Sequence, residues 1–356
     1  MCQSIARANL NNDACYVTKL VAREGHVAAC LSSNTVKLYS KSAHELHFAG
    51  DLQASGRVWD LCAPPEEPHV LLGACEGSQG VLAWDVRCRS VAQRFATPPR
   101  GCTVLDVSGA VVAAGCGDAL AFWDRRTGSR LAAFEDSFGD GVAALRFVPG
   151  TAQLVSGCED GMLAVFDLAT FDEEESFKAG LNVGTSVAEL GLYGRDWGRA
   201  WVRSGTESLH LWEWRQACDE VGKGGQGVLS EATDAREQFT AACQDALPGA
   251  EVEYLIACAY DAASDALVAL GGTARGAVSI CPVLQERQLR LGPACGALEG
   301  GHSDVVRAAL FDGEGNVLTG GEDGRVCVWA AEEVKPREAV GKADAVGARA
   351  RRSSPY

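Results

Sequence analysis

No window of this 356-residue chain reaches the ~18 apolar residues a membrane-spanning helix needs. The N-terminal stretch 1–12 is also too short of apolar side chains to resemble a secretory signal. A soluble protein of the cytoplasm or nucleus, with no membrane partner, is therefore expected. There is no CxxC pair, and the six histidines (His26, His44, His47, His69, His210 and His302) are scattered without HExxH or other ligand-like spacing. A P-loop, a GxSxG elbow and a dinucleotide-binding glycine fingerprint are all missing. The expectation is a non-enzyme with no catalytic residue, no metal, no cofactor and no small-molecule substrate.

Positive charge is scarce as well. The formal net charge is −15, and residues 334–356 hold six Lys or Arg against two Asp or Glu, so the tail carries +4 and the body −19. Binding to free nucleic acid relies on cations that neutralise phosphates, which argues against it as a partner for that body.

What the chain does have is one phrase, repeated. GGEDGRVCVW (320–329) is echoed in LGACEGSQGVLAWD (72–85), AAGCGDALAFWD (113–124), VSGCEDGMLAVFD (155–167) and RSGTESLHLWE (203–213). Each reads as a strand ending in small residues, a tight acidic or Gly-bearing turn, and an apolar strand closing on an aromatic. Tyr39, Trp84, Trp123, Phe166, Trp212, Cys281 and Trp329 mark seven such units, spaced 45, 39, 43, 46, 69 and 48 residues apart. Five spacings lie near the period of roughly 40–45 residues of a four-stranded propeller blade. The 69-residue spacing carries an insertion.

The runs VLAW, ALAFW, MLAVF and RVCVW are continuously apolar rather than alternating, which suits strands buried on both faces between neighbouring blades. Asp118, Asp160 and Asp323 sit between the paired strands, the last two followed by Gly161 and Gly324. Asp-Gly supplies the φ > 0 conformations of a two-residue hairpin, so the pairs are expected to be antiparallel. The predicted architecture is an all-β, seven-bladed β-propeller spanning 14–333. Flanking it are an N-terminal extension, 1–13, and a basic, disordered tail, 334–356. The strand-like segment 14–20 is expected to supply the outer strand that the last blade lacks, closing the ring and removing its exposed edges.

With Trp84-Asp85 and Trp123-Asp124, and weaker forms at Phe166-Asp167 and Trp212-Glu213, the chain resembles the WD-repeat family. Less generic than the dipeptide are the Asp-Glu-Glu-Glu run at 172–175 and the Gly-Gly-Thr turn at 271–273. The resemblance implies a protein-interaction scaffold. It also implies a hydrogen-bond relay of His302, Thr319, Asp323 and Trp329, complete in the last blade only, in which His302 is structural.

Cys75, Cys116 and Cys158 occupy one place in three successive repeats, which points to buried free thiols in a reducing compartment rather than to ligands or disulfides. Within the insertion, about 215–250, a Gly-rich stretch gives way to a helical pattern over 230–247. Its apolar face would be Phe239, Ala242, Cys243 and Ala246, docked on the flank or held out as an arm for a partner. The tail's ARARRSSPY end combines a basic cluster with Ser-Pro, a pattern of nuclear import or phosphorylation as well as of plain disorder.

Function should lie on the faces of the ring. One face gathers the linkers into each blade and the turns between second and third strands, with Glu76, Asp118, Asp136, Asp140, Glu159 and Glu322 as candidate binders of a basic protein segment. Asp160 and Asp323 serve there mainly as turn-formers. The alternative rests on WDVR (84–87) and WDRR (123–126). These resemble the box by which some WD-repeat substrate receptors dock on the adaptor of a cullin-RING ubiquitin ligase, with Arg87 and Arg126 as the contacts. The chain is expected to act as a monomer within a larger protein complex.

Overall fold

Antiparallel sheets account for every repeat. A computed structural model describes residues 2–7, 15–23, 25–42, 45–77, 80–97, 101–219, 227–285 and 288–330. Seven sheets follow one another; six run outward in chain order from an inner strand, and the last takes its outermost strand from the N-terminus. Blade 2, with Val58–Cys62, Val70–Cys75, Val81–Asp85 and Ser90–Phe95, is representative. Blade 6 departs from the plan because its outer strand is split: Gly296–Leu298 pairs the first half of Val278–Gln285 and Leu289–Leu291 pairs the second.

The apolar core is divided in the same way. Its seven buried clusters each span two neighbouring blades, and the one containing Val17, Val27, Leu318 and Val328 joins blade 7 to blade 1. This explains why the third strands need apolar residues at successive positions: Ala83 packs into the seam with blade 3 while Leu82 and Trp84 pack into the seam with blade 1. Trp84, Trp123, Phe166, Trp212 and Trp329 are all buried in these seams.

Closure comes from the N-terminus, but from a segment upstream of 14–20. Cys2–Arg7 pairs antiparallel with Arg325–Ala330 as the outer strand of blade 7. Val17–Arg23 is instead the inner strand of blade 1. Residues 2–7 thus belong to the ring rather than to an extension. The physical reason lies in burial: Val17 and Leu20 pack with Val27 of the next strand and with Ala308 and Leu318 of blade 7, in the seam between blades 7 and 1, where the first strand of blade 1 belongs.

The acidic turns also differ from a two-residue hairpin. Gly161 N donates to Cys158 O at 3.0 Å and Gly324 N to Gly321 O at 3.2 Å, leaving Glu159-Asp160 and Glu322-Asp323 as the central residues. Only the glycines take positive φ, +89° and +68°. This is the longer hairpin loop, a turn followed by one left-handed residue. The aspartate's part is to accept a hydrogen bond from the next strand, from Met162 N at 2.8 Å and from Arg325 N at 3.1 Å.

In the insertion, Val228–Ala232 is the outer strand of blade 5, so the expected helix starts later, at Ala235, and ends at Ala242. Asp234 caps it, accepting from Arg236 N. Phe239 and Cys243 are buried between blades 5 and 6, and Ala242 packs beside them, so the helix is docked on the flank. A second helix, Trp214–Asp219, packs with Trp214 and Ala217 between blades 4 and 5. The basic tail, and all of the Gly-rich stretch except Gly227, lie outside the described residues.

One expectation about cysteine fails. Cys75 and Cys158 are free and buried, and burial pushes the Cys75 thiol up to about 12. Cys116 is joined to Cys102 in a disulfide. The cysteines of blades 2 and 4 face Val58 and Val142 across the inner strand pair. In blade 3 the equivalent place is taken by Cys102, which puts a second sulfur where the repeat has a methyl group.

Candidate interaction faces

The relay of blade 7 is assembled on three segments. His302 enters on the linker, Thr319 lies on Asn316–Gly321, and Trp329 on Arg325–Ala330. Trp329 Nε1 donates to Thr319 Oγ1 at 2.8 Å, and that hydroxyl lies 2.8 Å from His302 Nε2. With Nε2 as the acceptor of the hydroxyl, Nδ1 holds the ring proton and donates it to Asp323 Oδ1 at 3.1 Å. Burial would raise the Asp323 carboxyl. Hydrogen bonds from His302, Ser303 N and Arg325 N outweigh it and hold the group below the ordinary carboxylate value. These side chains form one chain of hydrogen bonds inside the blade.

Blades 2 and 3, which lack the histidine, anchor their tryptophans otherwise, whereas Trp212 Nε1 of blade 5 is buried without a hydrogen-bond partner among the described residues. Trp84 Nε1 donates to Gln53 O at 3.3 Å and Trp123 Nε1 to Ala96 O at 3.2 Å, each tying a third strand to the segment leaving the preceding blade. Blade 5 has a buried run in which Ser204 Oγ lies 2.5 Å from Ser208 Oγ, itself 2.8 Å from His210 Nε2. Burial lowers the His210 pKa, favouring the neutral ring.

The candidate acidic residues do not form one patch. Asp140, Glu159 and Asp160 are clustered: Asp140 lies in the linker into blade 4 and the other two in its turn, and all three are exposed. The linker passes close to the turn at Gly139, where an added Cβ would stand 3.2 Å from Asp160 Oδ2. Glu76 and Asp118 are exposed on the corresponding turns of blades 2 and 3. Glu322 is ion-paired with Arg307. Asp136 lies on the outer flank, beside Glu173, Glu174 and Phe177. There Glu173 accepts from Glu135 N, Asp136 N and Ser137 Oγ, which gives the acidic run 172–175 a structural task.

Arg87 and Arg126 follow third strands of adjacent blades, at the opposite end from those turns. Each grips its own aspartate: Arg87 donates to Asp85 at 3.0 and 2.6 Å, and Arg126 to Asp124 at 3.4 and 3.3 Å. Both guanidinium side chains remain mostly exposed, at 64% and 74%.

Comparison with known proteins agrees with this geometry. The family model "WD domain, G-beta repeat" matches residues 295–330, the blade with the full relay. WD repeat-containing protein GTS1 of Arabidopsis thaliana is 30% identical over 323 residues, covering 86% of this chain and 78% of that protein. The chain belongs to the WD-repeat family. WD repeat-containing protein 89 homolog of Dictyostelium discoideum is 24% identical over 325 residues, 90% of this chain and 84% of that protein. A chain in the crystal structure of a mitotic checkpoint complex superposes with a TM-score of 0.70 at 14% identity, over 93% of this chain and 94% of its own, a likeness of fold. WD-repeat propellers typically serve as scaffolds for protein interaction.

A group of residues that sequence reasoning passed over lines the centre of this WD-repeat ring. A cavity of about 250 Å³ runs between the inner strands, lined among others by Lys19, Trp59, Asp60, Arg146, Glu189 and Arg203. Lys19 pairs with Asp60 at 3.0 Å and Arg203 with Glu189 at 3.4 Å. Asp106 accepts from Phe147 N at 2.8 Å, while burial pushes its carboxyl up. The signal was there to read: Lys19, Asp60, Asp106, Arg146 and Glu189 interrupt the largely apolar inner strands of five consecutive blades, and in four of them the charge is the only one in its strand.

Proposed function

We propose that this WD-repeat protein is a non-catalytic scaffold that recruits a basic protein segment to the face bearing the turns between second and third strands. The observation that carries the reading is the pair Asp140 and Glu159, two exposed carboxylates on one blade beside the turn-forming Asp160, continued on blades 3 and 2 by exposed Asp118 and Glu76. Charges so placed steer a cationic partner over a screening length of about 8 Å at physiological salt. The scaffold acts as a monomer inside a larger complex, in the cytoplasm or nucleus. The many free, buried cysteines among the described residues support that location. Affinity purification of the full chain from its native cells, washed at low and high salt, tests the reading. Partners should be lost as salt rises and on the double substitution Asp140→Lys, Glu159→Lys. Partners retained under both treatments would refute it.

A second reading is favoured by the exposure of Arg87 and Arg126 side by side on the opposite end of adjacent blades. Their ion pairs with Asp85 and Asp124 pre-orient the guanidiniums without covering them. On this reading the protein is a substrate receptor of a cullin-RING ligase. Adaptor subunits should then copurify and be lost with Arg87→Ala and Arg126→Ala; their absence from the native complex would remove it.

A further inference from the structure

The residue that follows the first buried residue of the inner strand is small in most blades: Thr18, Thr103, Ala143 and Ala188 line the mouth of the central cavity. Blade 7 places Arg307 there, held by Glu322, and blade 6 places Ile256, which is buried in the seam with blade 7. Blade 2 places Trp59. It lies between buried Val58 and Asp60 on Val58–Cys62, belongs to none of the seam clusters and is 40% exposed. One large aromatic therefore stands at the mouth of the channel among small neighbours, with no packing task to account for it.

The ring of Trp59 already has a cation over it. Arg57 Cζ sits 3.8 Å from the ring centroid. The exposed carboxylate of Glu76 is carried by the same corner of the blade, since Glu76 N donates to Arg57 O at 2.8 Å and Glu76 Cβ lies 3.7 Å from where a Cβ on Gly56 would be. An exposed indole with a guanidinium stacked on it, on a corner of the blade that also carries a carboxylate, reproduces within the chain the contact that an arginine or lysine of a partner would make.

We propose that Trp59 is the anchor of the interaction face. A lysine or arginine side chain of a basic partner segment stacks on the indole in place of Arg57, with Glu76 beside its charge. This rests on the acidic-face reading above and names the residue that fixes register, whereas the carboxylates supply the long-range attraction. Arg57 acts as a built-in competitor.

The test uses the full chain and a fluorescein-labelled twelve-residue peptide of Lys, Arg, Gly and Ser, followed by anisotropy at low and physiological salt. Because Trp59 is outside the seams, its variants should melt as the wild type does. Trp59→Leu keeps the apolar bulk but loses the π face and should weaken binding about five- to tenfold, with Trp59→Phe between the two. Arg57→Ala should tighten binding in the wild-type background and leave it unchanged in Trp59→Leu. Removal of a like charge alone would tighten both equally. Equal affinity of wild type and Trp59→Leu overturns the anchor and leaves the acidic-face reading standing. Binding that is absent, or insensitive to both salt and Asp140→Lys with Glu159→Lys, overturns that reading and the anchor with it.

Discussion

His302→Ala should destabilise the ring well beyond what one surface-linker residue would suggest. The His302 side chain is fully buried, and its two ring nitrogens join Thr319 to Asp323. Truncation removes a hydrogen bond to a charged carboxylate, worth about 1.5–3 kcal/mol, and leaves the Thr319 hydroxyl without its acceptor, a further 1–3 kcal/mol or so. A total of about 3 kcal/mol, at the 2–4 °C per kcal/mol typical of large domains, lowers the melting temperature by about 6 °C or more. Calorimetry of His302→Ala beside exposed His69→Ala provides the measurement and its control. Thr319→Val should bring a loss that overlaps with that of His302→Ala, so that the double variant falls short of the sum by about 1 kcal/mol. A melting temperature for His302→Ala within about 1 °C of the wild type, or strict additivity, would show that the four groups are neighbours and not a coupled relay.

Deletion of residues 1–7 removes the outer strand of blade 7, and should lower thermal stability and increase self-association, because Arg325–Ala330 becomes an open edge; size-exclusion chromatography reads the second effect. Asp323 has a folded-state pKa below its unfolded value, so the stability it contributes is present above about pH 4 and is lost as pH falls through the folded value. Melting followed between pH 6 and 3 should show that loss, and Asp323→Asn should flatten it. Phe239→Ala should cost about 3–5 kcal/mol despite its place in an insertion, since the ring is fully buried between blades 5 and 6; denaturant unfolding measures it. Alkylation of the unfolded, unreduced chain followed by mass spectrometry should leave Cys102 and Cys116 unmodified until a reductant is added, while Cys75 and Cys158 react at once.

Blade number and strand polarity were legible because the seams repeat a chemical demand. A third strand buried on both sides must be apolar at every position, so VLAW, ALAFW, MLAVF and RVCVW announce their own surroundings. The outer strands were not legible on the same terms. Ser90–Phe95 alternates between exposed and half-buried positions, and Glu45–Gln53 is similarly mixed, so neither carries a pattern that separates it from a loop. The sequence therefore points to 14–20 for the closing strand, where apolar residues are dense, although that density answers to a seam. The same argument explains the insertion. Val228–Ala232 is an outer strand with a polar face, and its Ser-Glu-Ala continues smoothly into a helical pattern whose true start is fixed by the Asp234 cap.

For the candidate site the difficulty is different, because a carboxylate on a turn looks the same in the sequence whether it is holding the turn or waiting for a partner. Asp160 and Asp323 spend their oxygens on the strand that follows, Glu322 is taken by Arg307, and Glu173 caps three donors of a neighbouring linker. A count of acidic residues therefore overstates the attraction a partner would feel, and geometry is needed to find which charges face solvent together. The channel shows the converse. Lys19 with Asp60, and Glu189 with Arg203, cancel in pairs within an enclosed space. Such pairs contribute little net field outside, whatever their number. What distinguishes a recognition surface on this ring is thus neither total charge nor burial but asymmetry: a residue at a repeated position that departs from its equivalents without a structural need. Trp59 is such a residue, and Thr18, Thr103, Ala143 and Ala188 are the comparison that makes it visible.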